Sequence, residues 1–242
     1  MNPSQQPIGV LVTGEPVPEA AQIRGSFVEM VRRAAGGAWP FGFLPIDARG
    51  QELPLPDTLA GVVVTGSPAS VTESLAWMLR AEAWLRLLLA RPVPVLGICF
   101  GHQLLAKALG GRVTSNPRGR EIGTLSAEIL VDDPLLGAQG SSFLVNMTHV
   151  DSVVEVPRGA IVIARTELEQ HAAIRFGPLA WGVQFHPEFD GAVLAAYLQG
   201  RSQELSTEGI EVDRALATVG DTPRSRDVLR RFLALVQSLS RA

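Results

Sequence analysis

The sequence predicts a three-layer α/β sandwich: a largely parallel sheet with helices on both faces and an antiparallel extension. Three observations carry that expectation. Short apolar runs alternate with longer segments of helical period through the first 110 residues, the pattern of strands joined by crossover helices. Residues 61–65 (GVVVT) are β-branched and apolar on both faces, as in a strand buried inside a covered sheet. Beyond residue 111 the rhythm changes to strand-like runs in close succession, which suits hairpins attached to the parallel core.

Residues 8–13 (IGVLVT) form the first expected strand. A helix over 19–35 follows, with Ile23, Phe27, Met30, Val31 and Ala34 near the i, i+3/i+4 spacing of one buried face, and Gly36-Gly37 as its stop. Residues 41–46 are a second strand and 61–65 a third. The clearest helix spans 72–90, carrying Leu75, Trp77, Met78, Leu79, Trp84, Leu85 and Leu88. Pro92 and Pro94 then punctuate the chain before a fourth strand at 93–98 and a helix at 100–109 that ends at Gly110-Gly111. Strands are expected at 123–131, 143–148, 161–166, 172–176 and 179–185, and a helix at 191–198. The polar stretch 201–209 suits a linker, and 225–239 an amphipathic helix with Val228, Leu229, Phe232, Leu233, Val236 and Leu239 on one stripe. Residues 1–200 are thus expected to form the main domain, with 201–242 a linker and a C-terminal helix packed on it.

Composition narrows the function. The 242 residues are 46% hydrophobic and 19% charged, enough for a sizeable core and too apolar for disorder. A net charge of −3 argues against a nucleic-acid binder or a polybasic membrane binder. The single cysteine excludes an intrachain disulfide framework, and with only four scattered histidines it excludes a thiolate-rich zinc site; no metal and no cofactor is expected. The first residues lack a basic region ahead of their apolar run and no stretch approaches 18 uninterrupted apolar residues, so a cytoplasmic protein is expected. The 20 arginines are dispersed against one lysine, Lys107.

Cys99 lies in PVLGICFGHQ, where a buried strand runs through Gly97-Ile-Cys-Phe-Gly101 directly into a helix. This is a nucleophile-elbow layout with cysteine in place of serine. A nucleophile on so sharp a turn needs flanking residues without a Cβ, and a helix N-terminus favours a thiolate. The amide of Phe100 would point at an oxyanion. A free cysteine is ordinarily a small buried hydrophobe, so the elbow needs a base. WGVQFHPEF supplies one: His186 at a strand end, with Glu188 two positions on to orient the ring. Of the other histidines, His102 is expected to be structural and His171 a solvated surface residue, while His149 either lines a pocket or caps a turn. Gly66-Ser67-Pro68 closes the third strand and either offers a second oxyanion amide or is an ordinary turn.

GICFGHQLLAKALGG together with WGVQFHPEF resembles the class I, triad-type glutamine amidotransferases, particularly the glutaminase portion of GMP synthetase and its free-standing relatives. GREIG (119–123) and THVDSV (148–153) fall in the same family order, and the likeness runs from about residue 8 to 198. The resemblance implies a flavodoxin-like fold and hydrolysis of the glutamine amide through a γ-glutamyl thioester on Cys99. His186 would serve as base and then acid, with Glu188 orienting it. It further implies an oxyanion site from Phe100 and the Gly66–Ser67 turn, and a grip on the glutamine end by Gln103 and the backbone at Thr148, His149 and Val150. Family members often carry Gly-Gly where this chain has Gly66-Ser67. The segment after residue 200 is too short for an ammonia-using synthetase, which implies a separate synthetase subunit as partner. A stand-alone hydrolase of γ-glutamyl amides or peptides is the alternative, and a non-catalytic binding module the second.

Overall fold

The computed structural model describes residues 5–37, 39–50 and 52–239. Its main sheet has nine strands in the order β2-β1-β3-β4-β11-β10-β9-β6-β7. The parallel part comprises β1 (Ile8–Val12), β2 (Phe43–Asp47), β3 (Gly61–Val64), β4 (Val95–Ile98) and β11 (Ala180–Val183). The extension is antiparallel, as expected: β10 (Ala173–Gly177), β9 (Ile161–Arg165), β6 (Glu121–Ile129) and β7 (Ser142–His149).

The helices form the outer layers. Along β3 the faces alternate: Val63 packs with α2 (Phe27–Ala34) and α8 (Pro223–Leu239), while Val62 and Val64 pack with α3 (Ala76–Leu89) and α4 (Phe100–Ala108). Val228, Leu229, Phe232, Leu233 and Val236 of α8 are buried in the first of these cores, against one face of the sheet. Among the described residues no helix is long and apolar enough to cross a membrane.

Four expected boundaries are corrected by local chemistry. The helix expected over 19–35 is two: α1 (Pro18–Arg24) and α2, broken where Gly25 takes φ +76° and Ser26 opens a capping box with Glu29. The helix expected from residue 72 starts at Ala76, because a 3₁₀ turn, Val71–Glu73, has its own box between Ser70 and Glu73 and Ser74 turns left-handed. The 201–209 stretch is no linker: it holds α6 (Ser202–Thr207), followed by α7 (Val212–Leu216). Finally, β5 (Arg112–Ser115) and β8 (Asp151–Glu155) pair as a separate antiparallel ribbon that was not foreseen. Each is only four or five residues long and largely polar, so neither leaves a clear periodic signal.

The sheet order positions the site. β4 lies between β3 and β11 and runs parallel to both, with Gly97 opposite Val64 on one side and Gly182 on the other. The chain after β3 therefore presents Gly66 and Ser67, the chain after β4 presents Cys99, and the chain after β11 presents His186 at one sheet edge. This is the carboxyl end of the strands, where open α/β sheets bind ligands.

Candidate active site

Cys99 is the residue between β4 and α4, with φ 52° and ψ −104°. Only Ser74 shares a positive φ among the described non-glycine residues, so this backbone is strained. The flanking glycines permit it. A Cβ on Gly97 would stand 2.5 Å from the Gly101 carbonyl, and one on Gly101 would stand 2.4 Å from the Val64 carbonyl oxygen. The elbow is thus wedged against β3. Phe100, the first residue of α4, has an amide with no acceptor inside the helix.

His186 arrives two residues after Gln184, its own amide tied to the Asn146 carbonyl at 2.9 Å. Its Nδ1 lies 2.8 Å from Oε1 of Glu188, and both side chains are buried. Phe189 stacks on the imidazole with centroids 4.1 Å apart and planes inclined by 14°. Nε2 is buried and makes no hydrogen bond of regular geometry. Its coupling to the thiol is chiefly one of charge. Burial opposes ionisation of Cys99 most strongly of any single influence, but the charge and hydrogen bond of His186 and the charge of His149 together lower the thiol pKa. Burial likewise opposes a charged His186, yet Glu188 and Cys99 push its pKa up to about 10. The two shifts act in the same sense, each group's charged form favouring the other's.

Gly66 packs against both groups: a Cβ there would meet Cε1 of His186 at 3.1 Å and Cβ of Cys99 at 3.9 Å. The Ser67 hydroxyl is turned away, donating to the Thr13 carbonyl at 2.9 Å. Two adjoining cavities share Cys99, Ser67, Thr148 and Arg201, one of about 620 Å³ and one of about 250 Å³. Phe100, Gln103, His149 and Val150 line the larger and His186 the smaller, so every expected site residue except Gly66, Gly97, Gly101 and Glu188 borders one of these two cavities.

Gln103 and His171 are deployed differently from expectation, whereas His102 and His149 are not. Gln103 donates Nε2 to the Asp151 carbonyl at 2.8 Å and to Oε1 of Gln184 at 3.0 Å, which leaves only its own oxygen for a ligand. His171 is no solvated surface residue: it is half-buried, with Nδ1 on the Val153 carbonyl. His102 is fully buried, and desolvation with the neighbouring His171 and His149 charges lowers its pKa to about 3, which keeps it neutral. His149 lines the larger cavity.

Other residues at the site had no local signal. Gln184 donates Nε2 to Sγ of Cys99 at 3.4 Å. Arg201 stacks on Tyr197 at 5.2 Å and donates to Oγ1 of Thr148 at 3.2 Å. Arg120 at the cavity wall is paired with Glu204 and Glu208. Among the described residues no group of three or more His, Cys, Asp or Glu could hold a metal ion.

A buried thiol on a strained strand-to-helix turn, beside an imidazole paired with a carboxylate, is an arrangement suited to nucleophilic thiol chemistry. A family model for class-I glutamine amidotransferases matches residues 25–199, and the chain belongs to that family. It is 43% identical over 143 residues to the glutamine-hydrolyzing GMP synthase of Aeropyrum pernix, and 38% identical over 154 residues to that of Porphyromonas gingivalis. Those alignments take in 59% and 62% of this chain but 26% and 27% of the relatives, so the chain matches about a quarter of their length. Among solved structures it resembles a glutamine amidotransferase of Thermotoga maritima at a TM-score of 0.76, with 24% identity over 95% of this chain and 98% of that one. A glutamine amidotransferase of Methylobacillus flagellatus gives 0.67, with 24% identity over 97% and 95%. These structural likenesses bear out the α/β fold.

Proposed function

We propose that this chain hydrolyses the side-chain amide of glutamine to glutamate and ammonia through Cys99, His186 and Glu188. The buried Cys99 thiol on its strained strand-to-helix turn, beside a His186 ring held at Nδ1 by Glu188, is the observation that carries this reading. Sγ attacks the amide carbon, and the carbonyl oxygen becomes an oxyanion facing the amides of Phe100 and the Gly66–Ser67 turn. His186 gives its proton to the departing nitrogen, ammonia leaves, and a γ-glutamyl thioester remains. A water then loses one proton to His186, which becomes imidazolium again, and attacks the thioester; collapse expels the thiolate, and the new carboxyl group sheds its proton to solvent as glutamate leaves. Glu188 holds the ring in place and stabilises its positive form. Gln103, Thr148, His149 and Val150 form the wall that takes the amino-acid end of the substrate.

The similarity to the amidotransferase portion of GMP synthases supports delivery of the ammonia to a separate synthetase subunit. A second reading is hydrolysis of larger γ-glutamyl amides, favoured by two observations. The cavity of about 620 Å³ falls in the range of sites for whole drug-sized ligands, roughly 300–1,000 Å³, and Arg201 on its wall brings a cation whose charge reaches Glu208. In either case residues 1–200 carry the catalytic unit and α8 completes its core.

The test is a substrate panel of glutamine and γ-glutamyl amides with wild type, Cys99→Ala and His186→Ala. Glutamine turnover lost in both variants supports the first reading. Turnover of γ-glutamyl peptides without glutamine would replace it with the second, and rates unchanged by either substitution would refute both.

A further inference from the structure

His149 sits beside the reacting thiol on the wall of the larger cavity, and the reaction above gives it no chemical step. Its surroundings are unusual. Nδ1 lies 2.9 Å from the Asp151 carbonyl and Nε2 lies 3.2 Å from Oε2 of Glu121. A carbonyl can only accept, and so can an ionised carboxylate. A neutral imidazole has one N–H, so it would leave one of these contacts without a proton; an imidazolium satisfies both. Glu121 is held from its far side as well. Its other oxygen accepts from Oγ1 of Thr166 at 2.6 Å, and that hydroxyl is itself oriented by the Glu169 amide at 2.9 Å. Oε2 of Glu169, buried and without a hydrogen bond, stands 4.0 Å from Nδ1. His149, Glu121 and Glu169 are all at most 4% exposed.

We infer that Glu121 and Glu169 fix His149 as a buried imidazolium, and that this second cation, alongside His186, stabilises the negative charge on Cys99. His149 is a positioning residue: both ring nitrogens are engaged, so it acts on sulfur through its field and transfers no proton. The arrangement gives Glu121 of GREIG and the His149 ring of THVDSV a shared part, the two residues being paired across β6 and β7. Other charged groups face the ring as well. Cys99 and the neutral His102 approach from α4, and His171 flanks the same loop as Glu169. Asp151 turns its carboxylate away to Ser70 and Ser115, and Arg120 and Arg201 share the cavity. Burial opposes the charged ring, but the Glu121 hydrogen bond and the Glu169 charge prevail and raise its pKa.

The inference rests on Cys99 being the nucleophile, and its test does not require turnover. Iodoacetamide alkylation of Cys99 is followed against pH in wild type, His149→Gln, Glu121→Gln and His186→Ala, and the imidazole ¹⁵N shifts of His149 are recorded in wild type. The expected results are doubly protonated shifts at pH 7–8, and an alkylation midpoint moved upward in His149→Gln by half a unit to one unit. At pH values below both midpoints that shift makes alkylation about three- to tenfold slower. Glu121→Gln is expected to move it in the same direction by less. Neutral-ring shifts at pH 7, or alkylation that ignores both substitutions while still depending on His186, would overturn the inference and leave the glutaminase reading standing. Should His149→Gln fail to fold, the wild-type shifts and Glu121→Gln decide the matter. Absent glutamine turnover with a His149-dependent thiol would instead refute the glutaminase reading alone.

Discussion

Phe189 lies flat against His186, with centroids 4.1 Å apart and planes 14° from parallel, while Glu188 grips the ring edge at Nδ1. Face and edge are both held, so the imidazole has one orientation toward the thiol. The two constraints are separable. Phe189→Leu keeps the carboxylate and frees the face, and is expected to lower kcat about tenfold with little change in KM. Glu188→Gln removes the charge that stabilises the imidazolium and is expected to cost about 10²–10⁴ in kcat. Steady-state kinetics on glutamine, with thermal melts to confirm folding, measure both.

The pH behaviour follows from the signs of the two shifts. Cys99 is shifted down and His186 up to about 10, so the ion pair exists between the two. Hydrolysis needs the imidazolium proton for the leaving nitrogen, so it is expected to fall as pH rises through about 10 and again as the thiol protonates in acid. Alkylation needs only the thiolate, so it falls in acid and persists at high pH. Because the folded pKa of His186 exceeds its unfolded value, the pair stabilises the fold below about 6.5, and that contribution is lost as pH rises through about 10. Parallel rate–pH curves for hydrolysis and alkylation check the divergence.

Gly97→Ala sets a methyl 2.5 Å from the Gly101 carbonyl, a backbone contact that no rotamer relieves. The variant is expected to lose about 2–4 kcal/mol of stability and to lose the fast-reacting thiol, because α4 must shift away from β4. Denaturant unfolding and alkylation rate read the two effects independently.

Phe232 of α8 is fully buried in the core that also contains Val63 and Leu96. If the C-terminal helix belongs to the catalytic unit, Phe232→Ala costs about 3–5 kcal/mol and unfolds β3 and β4 in the same transition as the rest. An early separate transition for α8 would show that it is an independent element.

The elbow and the His-Pro-Glu segment were legible because each is a contiguous stretch whose chemistry is local. Strand, glycine, cysteine, glycine and helix specify a turn whatever surrounds them, and a carboxylate two residues past a histidine is within reach of its ring. The parallel strands and the buried face of α8 were legible too, since apolar period reports which side of an element meets a core. Helix ends were misjudged where a short-range competitor won, as at the Ser26 and Ser70 capping boxes. What only the tertiary structure decided is how distant polar residues are paired. Glu121 meets His149 across 28 positions and Gln103 meets Gln184 across 81, through strand register and sheet order. Such pairing leaves no periodic trace in the chain, because a buried polar residue looks the same in sequence whether its partner is a neighbouring strand or the solvent. The sequence by itself determined the cysteine elbow, the His-Pro-Glu segment and the layered fold; packing decided which charges surround the sulfur, because a field depends on distance in space and not along the chain.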